Sequence, residues 1–265
     1  MFDLHRITRQ INSCRLTVMT DWVPGTVANV THWTNNLFSL TINADIEPFV
    51  AGQYTNLALE IDGERHGQPY SILSAPGEQP LEFFFYTQLE GDLSRRLSQL
   101  QTDDTVWVDR QPAGSLTLTN VADTSTLCLM ATGTGVAPFV SMLQTEEIWA
   151  RFETVILVYA ARVQADFQYQ ALFDRLKAEY PGRFALVPFI SREKVLGALP
   201  GHIPDSLRSG ELERHIGLVL SPDNSHVMLC GNPGMVKDAA SVLEGRGFAV
   251  NKPGKRGQLS YESYW

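Results

Sequence analysis

The stretch Leu127-Cys128-Leu129-Met130-Ala131-Thr132-Gly133-Thr134-Gly135-Val136-Ala137-Pro138 constrains the fold more than any other part of the chain. An apolar run breaks into a Gly/Thr turn, and an apolar, helix-like segment resumes beyond it. The order is strand, turn, helix. Glycines at 133 and 135 let backbone come close to a ligand, and a helix starting near Pro138 offers unpaired N–H groups and a positive dipole end to an anion. The pattern departs from the dinucleotide fingerprint G-x-G-x-x-G, because Pro138 suits a first helical turn but not a close helix–sheet contact. A bare Gly-x-Gly also marks ordinary tight turns, so its meaning depends on its surroundings.

Those surroundings are regular. Past Asp123, apolar runs at Leu127 to Ala131, Val155 to Ala160, Phe184 to Ile190 and His226 to Cys230 alternate with helical stretches at Phe139 to Ala150, Gln168 to Tyr180 and Met235 to Gly245. Such alternation predicts βαβ units and a parallel sheet with helices on both faces. From Trp22 to about Leu118 the rhythm is instead one of short β-rich runs: Val27 to Val30, Leu37 to Ile42, Tyr54 to Ile61, Glu82 to Tyr86 and Val106 to Val108. Asp62-Gly63 after the third is a tight-turn signal. Roughly six strands at this spacing suggest a closed antiparallel barrel. The clear helix in this half is Leu93 to Leu100, with Asp92 available as its N-cap.

The fold class expected is therefore all-β followed by α/β: an antiparallel β-barrel over residues 19–120 and a parallel-sheet nucleotide-binding domain over 121–265. The polar segments Thr119-Asn120 and Asp123-Thr124-Ser125 mark the boundary. Residues 1–18 read as an extension or disordered arm, since they lack the continuous apolar stretch of a secretory signal and Met19-Thr20-Asp21-Trp22 looks like a second start.

Composition excludes several classes. A net charge of −8 over 265 residues argues against nucleic-acid binding, which needs a basic field. Cys14, Cys128 and Cys230 are too few for a four-thiolate iron–sulfur cluster and too scattered for a disulfide framework, which favours a reducing, cytoplasmic setting. No metal site is expected. No run approaches the about 18 apolar residues of a membrane helix.

Open parallel sheets bind ligands at the carboxyl ends of their strands. The residues at those ends are Thr132-Gly133-Thr134-Gly135, Ala161-Arg162, Ser191-Arg192 and Gly231-Asn232-Pro233-Gly234. Either arginine alone is more often a solvated surface charge, but two at equivalent positions after adjacent strands can clamp a phosphate with planar, bidentate donors. A dinucleotide carrying an extra ribose phosphate would use such a clamp.

Seven motifs in register carry a family resemblance: Gln68-Pro69-Tyr70-Ser71, Gly91-Asp92-Leu93-Ser94, Ala131 to Pro138, Tyr159-Ala160-Ala161-Arg162, Ser191-Arg192-Glu193, Cys230-Gly231-Asn232-Pro233-Gly234-Met235 and the terminal Tyr264-Trp265. From about Asp21 to Trp265 the chain resembles the bacterial ferredoxin (flavodoxin)–NADP⁺ reductases. The resemblance implies non-covalently bound FAD in the barrel, NADP(H) as substrate on the α/β domain, and ferredoxin or flavodoxin as transient electron-transfer partners of a monomer. It implies that Tyr70 packs on the isoalloxazine, that Ser71 hydrogen-bonds near flavin N5, and that Gln68, Pro69, Phe84, Asp92, Leu93, Ser94 and Thr134 line the FAD. Tyr264 and Trp265 would contact FAD from the chain end. For NADP it implies Arg162 and Arg192 at the 2′-phosphate, with Ala161, Ser191, His202, Asn232, Pro233, Gly234 and Asp238 around the nucleotide. Cys230 and Glu262, with Ser71, would line the hydride-transfer site. Lys252, Lys255, Arg256, Arg95 and Arg96 are candidates for a basic patch that meets an acidic carrier.

Two departures stand out. The family has an arginine, which neutralises the FAD pyrophosphate, where this chain has Gln68; Arg65 and Arg95 are sequence neighbours of the gap. A third basic contact to the 2′-phosphate is replaced by His202, so the preference for NADP over NAD is expected to weaken or to depend on pH. The alternatives weighed are a free flavin reductase, an oxygenase reductase component, for which the cysteines of an iron–sulfur domain are lacking, and a non-catalytic flavin redox sensor or electron-transfer subunit.

Overall fold

A computed structural model describes residues 20–87, 92–252 and 254–263, with the backbone alone for Asp92. The arm expected at 1–18 and the terminal pair Tyr264 and Trp265 lie outside the described residues.

The first sheet contains β1 (Trp22–His32), β2 (Leu37–Asn43), β3 (Tyr54–Ile61), β4 (Glu64–Ser71), β5 (Leu81–Tyr86) and β6 (Thr105–Asp109), in the order β4-β3-β6-β1-β2-β5. Every pairing is antiparallel. The sheet curls until its two edges meet at a bridge between Ile72 and Phe83, where Leu73 N–H donates to Glu82 C=O at 2.8 Å. The closed barrel expected from the sequence is thus a curled sheet joined along one short seam. The strand missing from the sequence reading is β4, Glu-Arg-His-Gly-Gln-Pro-Tyr-Ser, which is polar and contains Gly and Pro. Pairing with β3 along its whole length makes it a strand, after a turn in which Asp62 and Gly63 both have positive φ (53° and 82°).

Between β5 and β6 lies α1 (Asp92–Leu97). Asp92 belongs to the helix itself, so the cap position expected of it falls one residue earlier, outside the described residues. The helix also stops short of Leu100, because residues 98 and 99 form a turn.

The second sheet is parallel throughout and runs β10-β9-β8-β7-β11-β12. Its strands are β7 (Thr126–Thr132), β8 (Thr154–Ala161), β9 (Phe184–Ile190), β10 (Leu199–Pro200), β11 (Ser225–Gly231) and β12 (Leu259–Ser263). The helices are α2 (Ala137–Leu143), α3 (Glu146–Arg151), α4 (Gln170–Glu179), α5 (Ile203–Ser209), α6 (Glu211–Ile216) and α7 (Pro233–Gly245). The single helix expected at Phe139 to Ala150 is split into α2 and α3, because Thr145 adopts extended backbone (φ −95°, ψ 149°).

Period-two alternation assigns the faces. Leu127, Leu129 and Ala131 of β7 pack with α2, α3 and α4, whereas Cys128 and Met130 pack with α5, α6 and α7. The first of these cores also takes in Leu37, Ala51, Leu73 and Phe84 and so spans both sheets, while the curled sheet keeps a core of its own around Val27, Leu40, Leu57 and Phe83. Ser141 Oγ donates to Ser74 C=O at 2.7 Å and Gln144 Nε2 to Leu73 C=O at 3.1 Å, which ties α2 to the seam of the curled sheet. Sheet order reverses at β7, so the crevice for a ligand opens between the carboxyl ends of β7 and β11.

Candidate active site

At that crevice β7 passes into a 3₁₀ turn, Gly133–Val136, and then into α2 with Pro138 in its first turn. The two glycines act differently from the sequence expectation. A Cβ on Gly135 would stand 2.6 Å from both the carbonyl oxygen of Cys230 and Cα of Gly231, and one on Gly133 would come 3.1 Å from the Tyr86 ring. Protein atoms, not a ligand, occupy the space that these missing side chains leave. Gly135 thus lets the turn close against β11. Thr132 Oγ1 accepts a hydrogen bond from Asn232 N–H at 2.8 Å, locking the two strand ends together. Thr134 is half-buried in the middle of the turn.

On the neighbouring strand ends, Arg192 N–H donates to the Arg162 carbonyl at 2.9 Å, and Ser191 N–H to that of Ala161 at 3.2 Å. The two arginines therefore stand side by side, and both side chains are exposed. Asp166 senses both of them. Its carboxyl is pushed up by burial, while a hydrogen bond with Tyr86 and the guanidiniums of Arg162 and Arg192 pull the other way. Glu193 closes the cluster by accepting the Gln164 N–H. His202 is exposed at the N-cap of α5, without a side-chain bond to that helix.

Asn232 caps α7: its Oδ1 accepts from Gly234 N–H at 2.9 Å and Met235 N–H at 3.3 Å. Pro233 and Gly234 form the first turn, and Asp238 is exposed one turn further along. Cys230 is fully buried on β11, directly opposite Glu262 on β12. Burial raises the pKa of the Glu262 carboxyl.

In the curled sheet, Gln68, Tyr70 and His66 pair with Leu57, Thr55 and Leu59 and so share one face of β4. Pro69 points to the other, and Ser71 is buried at the strand's end. Tyr70 meets Phe85 edge-on, and its hydroxyl is buried with no partner among the described residues. A buried hydroxyl left unpaired costs about 1–3 kcal/mol, so this atom suits a bound polar group. Further along β4 a cavity of about 500 Å³ is lined by Ile61, Asp62, Arg65, His66, Gly67, Gln68 and Leu93. Leu93 and Ser94 are buried on α1. Phe84 is buried where the sheets meet, its ring 5.1 Å edge-on from Tyr169. Tyr169 in turn donates to Glu82 Oε1 at 2.8 Å and shares a 2.7 Å hydrogen bond with Ser39 Oγ.

Residues 129–241 match the family model described as an oxidoreductase NAD-binding domain. The flavodoxin/ferredoxin–NADP reductase of Escherichia coli (strain K12) is 44% identical over 248 residues, which covers 93% of this chain and all of that protein. The chain belongs to the flavodoxin/ferredoxin–NADP reductase family. A ferredoxin–NADP reductase of Azotobacter vinelandii is 34% identical over 85% of the chain and 90% of its own length. Among solved structures, a ferredoxin NADP⁺ reductase from Neisseria gonorrhoeae with bound FAD and NADP aligns with a TM-score of 0.86 at 29% identity, covering 92% of this chain and 99% of that one.

Tyr86 and Asp166, which join the curled sheet to the arginine pair of this family member, were not singled out in the sequence. They lie 80 positions apart with no shared motif, and only the strand-end position of Asp166, four residues after Arg162, could have drawn attention to it.

Proposed function

We propose that residues 19–120 hold FAD and residues 121–265 hold NADP(H), in a monomeric, cytoplasmic reductase that serves flavodoxin or ferredoxin. When bound, FAD would supply hydride acceptance from NADPH and stepwise one-electron release to a carrier. The observation that carries this reading is the placement of Arg162 and Arg192 on the same sheet edge as Cys230 and Glu262. One end of a dinucleotide can then be held by its phosphate while the other end reaches the buried Cys230 and the half-buried Glu262.

Each residue has a task of its own. Arg162 and Arg192 bind the 2′-phosphate, His202 adds a third donor, and Asn232 keeps the α7 end in shape around the nucleotide. Tyr70 would offer its ring and its hydroxyl, unpartnered among the described residues, to FAD, and Ser71 would hydrogen-bond the flavin near N5. Cys230 and Glu262 shape a water-poor surface where the nicotinamide stacks. The carrier docks on basic residues, with Lys252, Lys255, Arg256, Arg95 and Arg96 as the candidates.

The test is NADPH-driven reduction of purified ferredoxin and flavodoxin, each supplied separately to the FAD-loaded chain after gel filtration. Reduction of at least one carrier with FAD retained supports the reading. NADPH oxidation that releases free reduced flavin, or no oxidation with an artificial acceptor, refutes it.

A further inference from the structure

We propose that His66 supplies the positive charge that holds the FAD pyrophosphate in this chain, in place of the arginine that the family carries at the position of Gln68. The inference rests on the reading that FAD lies along the inner face of β4. His66 and Gln68 are two residues apart on one strand face, opposite Leu59 and Leu57, and both line the same cavity of about 500 Å³ next to Leu93. Both are exposed, although their neighbour Leu57 is fully buried. Gln68 can donate and accept hydrogen bonds but carries no charge.

The other basic side chains nearby are engaged or face elsewhere. Arg65 pairs with Glu60 on the opposite strand face, and its exposed guanidinium lies 3.6 Å above the Trp107 ring in a cation–π contact. Gly67 makes room for this outer layer, since a Cβ there would stand 2.7 Å from the Trp22 ring. Arg65 also lines the cavity, but its guanidinium is engaged on Trp107 and its side chain starts from the strand face opposite to that of Gln68. Arg95 lines a different groove, with His32 and Trp33. Among the described residues that line the cavity, His66 is the basic side chain on the strand face that carries Gln68.

An imidazolium differs from a guanidinium in one useful respect. Histidine changes charge near neutral pH, whereas arginine does not, so FAD affinity acquires a pH dependence that the arginine version lacks. The elements around His66 carry Asp62 in the turn, Glu64 on the same strand face, Arg65 on the opposite face, the apolar Leu59 and Ile61 of β3, and α1, which lines the cavity with Leu93 and has Arg95 and Arg96 in its last turn. The two carboxylates oppose an approaching pyrophosphate, so a positive charge on this strand face favours its binding.

The experiment measures FAD dissociation from the full-length holoprotein by recovery of flavin fluorescence on dilution, at pH 6 and pH 8, for wild type, His66→Ala and His66→Lys. The wild type should bind FAD about tenfold more tightly at pH 6 than at pH 8, the effect of one charge-assisted hydrogen bond. His66→Ala should be about tenfold weaker at pH 6 and lose the pH dependence, and His66→Lys should bind tightly at both. NADP⁺ binding at the distant arginine pair should be unchanged in both variants, which reports an intact fold. Equal FAD affinity of His66→Ala and wild type at pH 6 would overturn the proposal while leaving FAD binding intact. A wild type that takes up no FAD would overturn the cofactor reading and this proposal together.

Discussion

In the parallel sheet every residue of β11 is buried and the chemistry is confined to the strand ends, whereas in the curled sheet β4 exposes six consecutive residues along its length. The first surface is shaped by backbone. Gly135 approaches Cys230 and Gly231, and Gly231 approaches Thr132, at distances that admit no added Cβ, so the junction of β7 and β11 cannot be altered piecemeal. The second surface is shaped by side chains on an already paired strand. One residue there can be exchanged for another without disturbing the fold, and a histidine can take over an arginine's charge from two positions away.

This contrast can be broken in three places. The parallel sheet should not tolerate charge in its interior. His226, at the start of β11, is fully buried; its Nδ1 accepts the Ala122 N–H at 3.3 Å, so Nε2 carries the proton and donates to Ser260 Oγ at 2.9 Å. Burial, with a smaller contribution from Arg151, lowers its pKa from 6.5 to about 4. The folded-state value lies below the unfolded one, so stability is full above pH 6.5 and falls as pH drops towards 4. The difference of 2.5 units at 1.36 kcal/mol each amounts to about 3 kcal/mol. Urea unfolding at pH 6.5 and pH 4 should show this loss, and His226→Gln should remove most of it; an identical pH slope in that variant would count against the assignment.

Next in size is Gly135→Ala. The added methyl meets backbone on β11, which cannot swing aside, and overpacking of this kind costs about 2–3 kcal/mol. A Gln68→Ala change on β4 should cost less than about 0.5 kcal/mol by comparison. Thermal unfolding of both variants checks the contrast, and equal melting temperatures would erase it. Smallest in stability, though large in function, is removal of an arginine. Arg162→Ala or Arg192→Ala should each raise the KM for NADPH about 10- to 100-fold, with kcat and the NADH kinetics little changed, because a charge-assisted bond to the 2′-phosphate is lost. Equal losses with NADH and NADPH would place the arginines elsewhere on the nucleotide.

The same contrast explains what could be read from sequence. Buried parallel strands are continuous apolar runs, so Phe184–Ile190 was placed to the residue and Leu127 to Ala131 to within one at each end. The polar edge strands β4 and β12 carry no such signal, and the short α5 and α6, which meet at Gly210, are too brief for a helical period to show. Arg162 and Arg192 were legible because strand ends can be counted along the chain. Tyr86 against Gly133 and Asp166 was not, because the meeting of two sheets is written in tertiary packing alone.

The central claim is that the strand-end surface and the β4 surface serve one electron transfer. Its most direct test is the visible spectrum of the holoprotein during anaerobic titration with NADPH and, in parallel, NADH. Flavin absorbance should bleach with about one equivalent of NADPH per FAD, NADH should be far less effective, and Arg162→Ala should narrow the difference. A flavin that stays oxidised under excess NADPH would contradict the central claim.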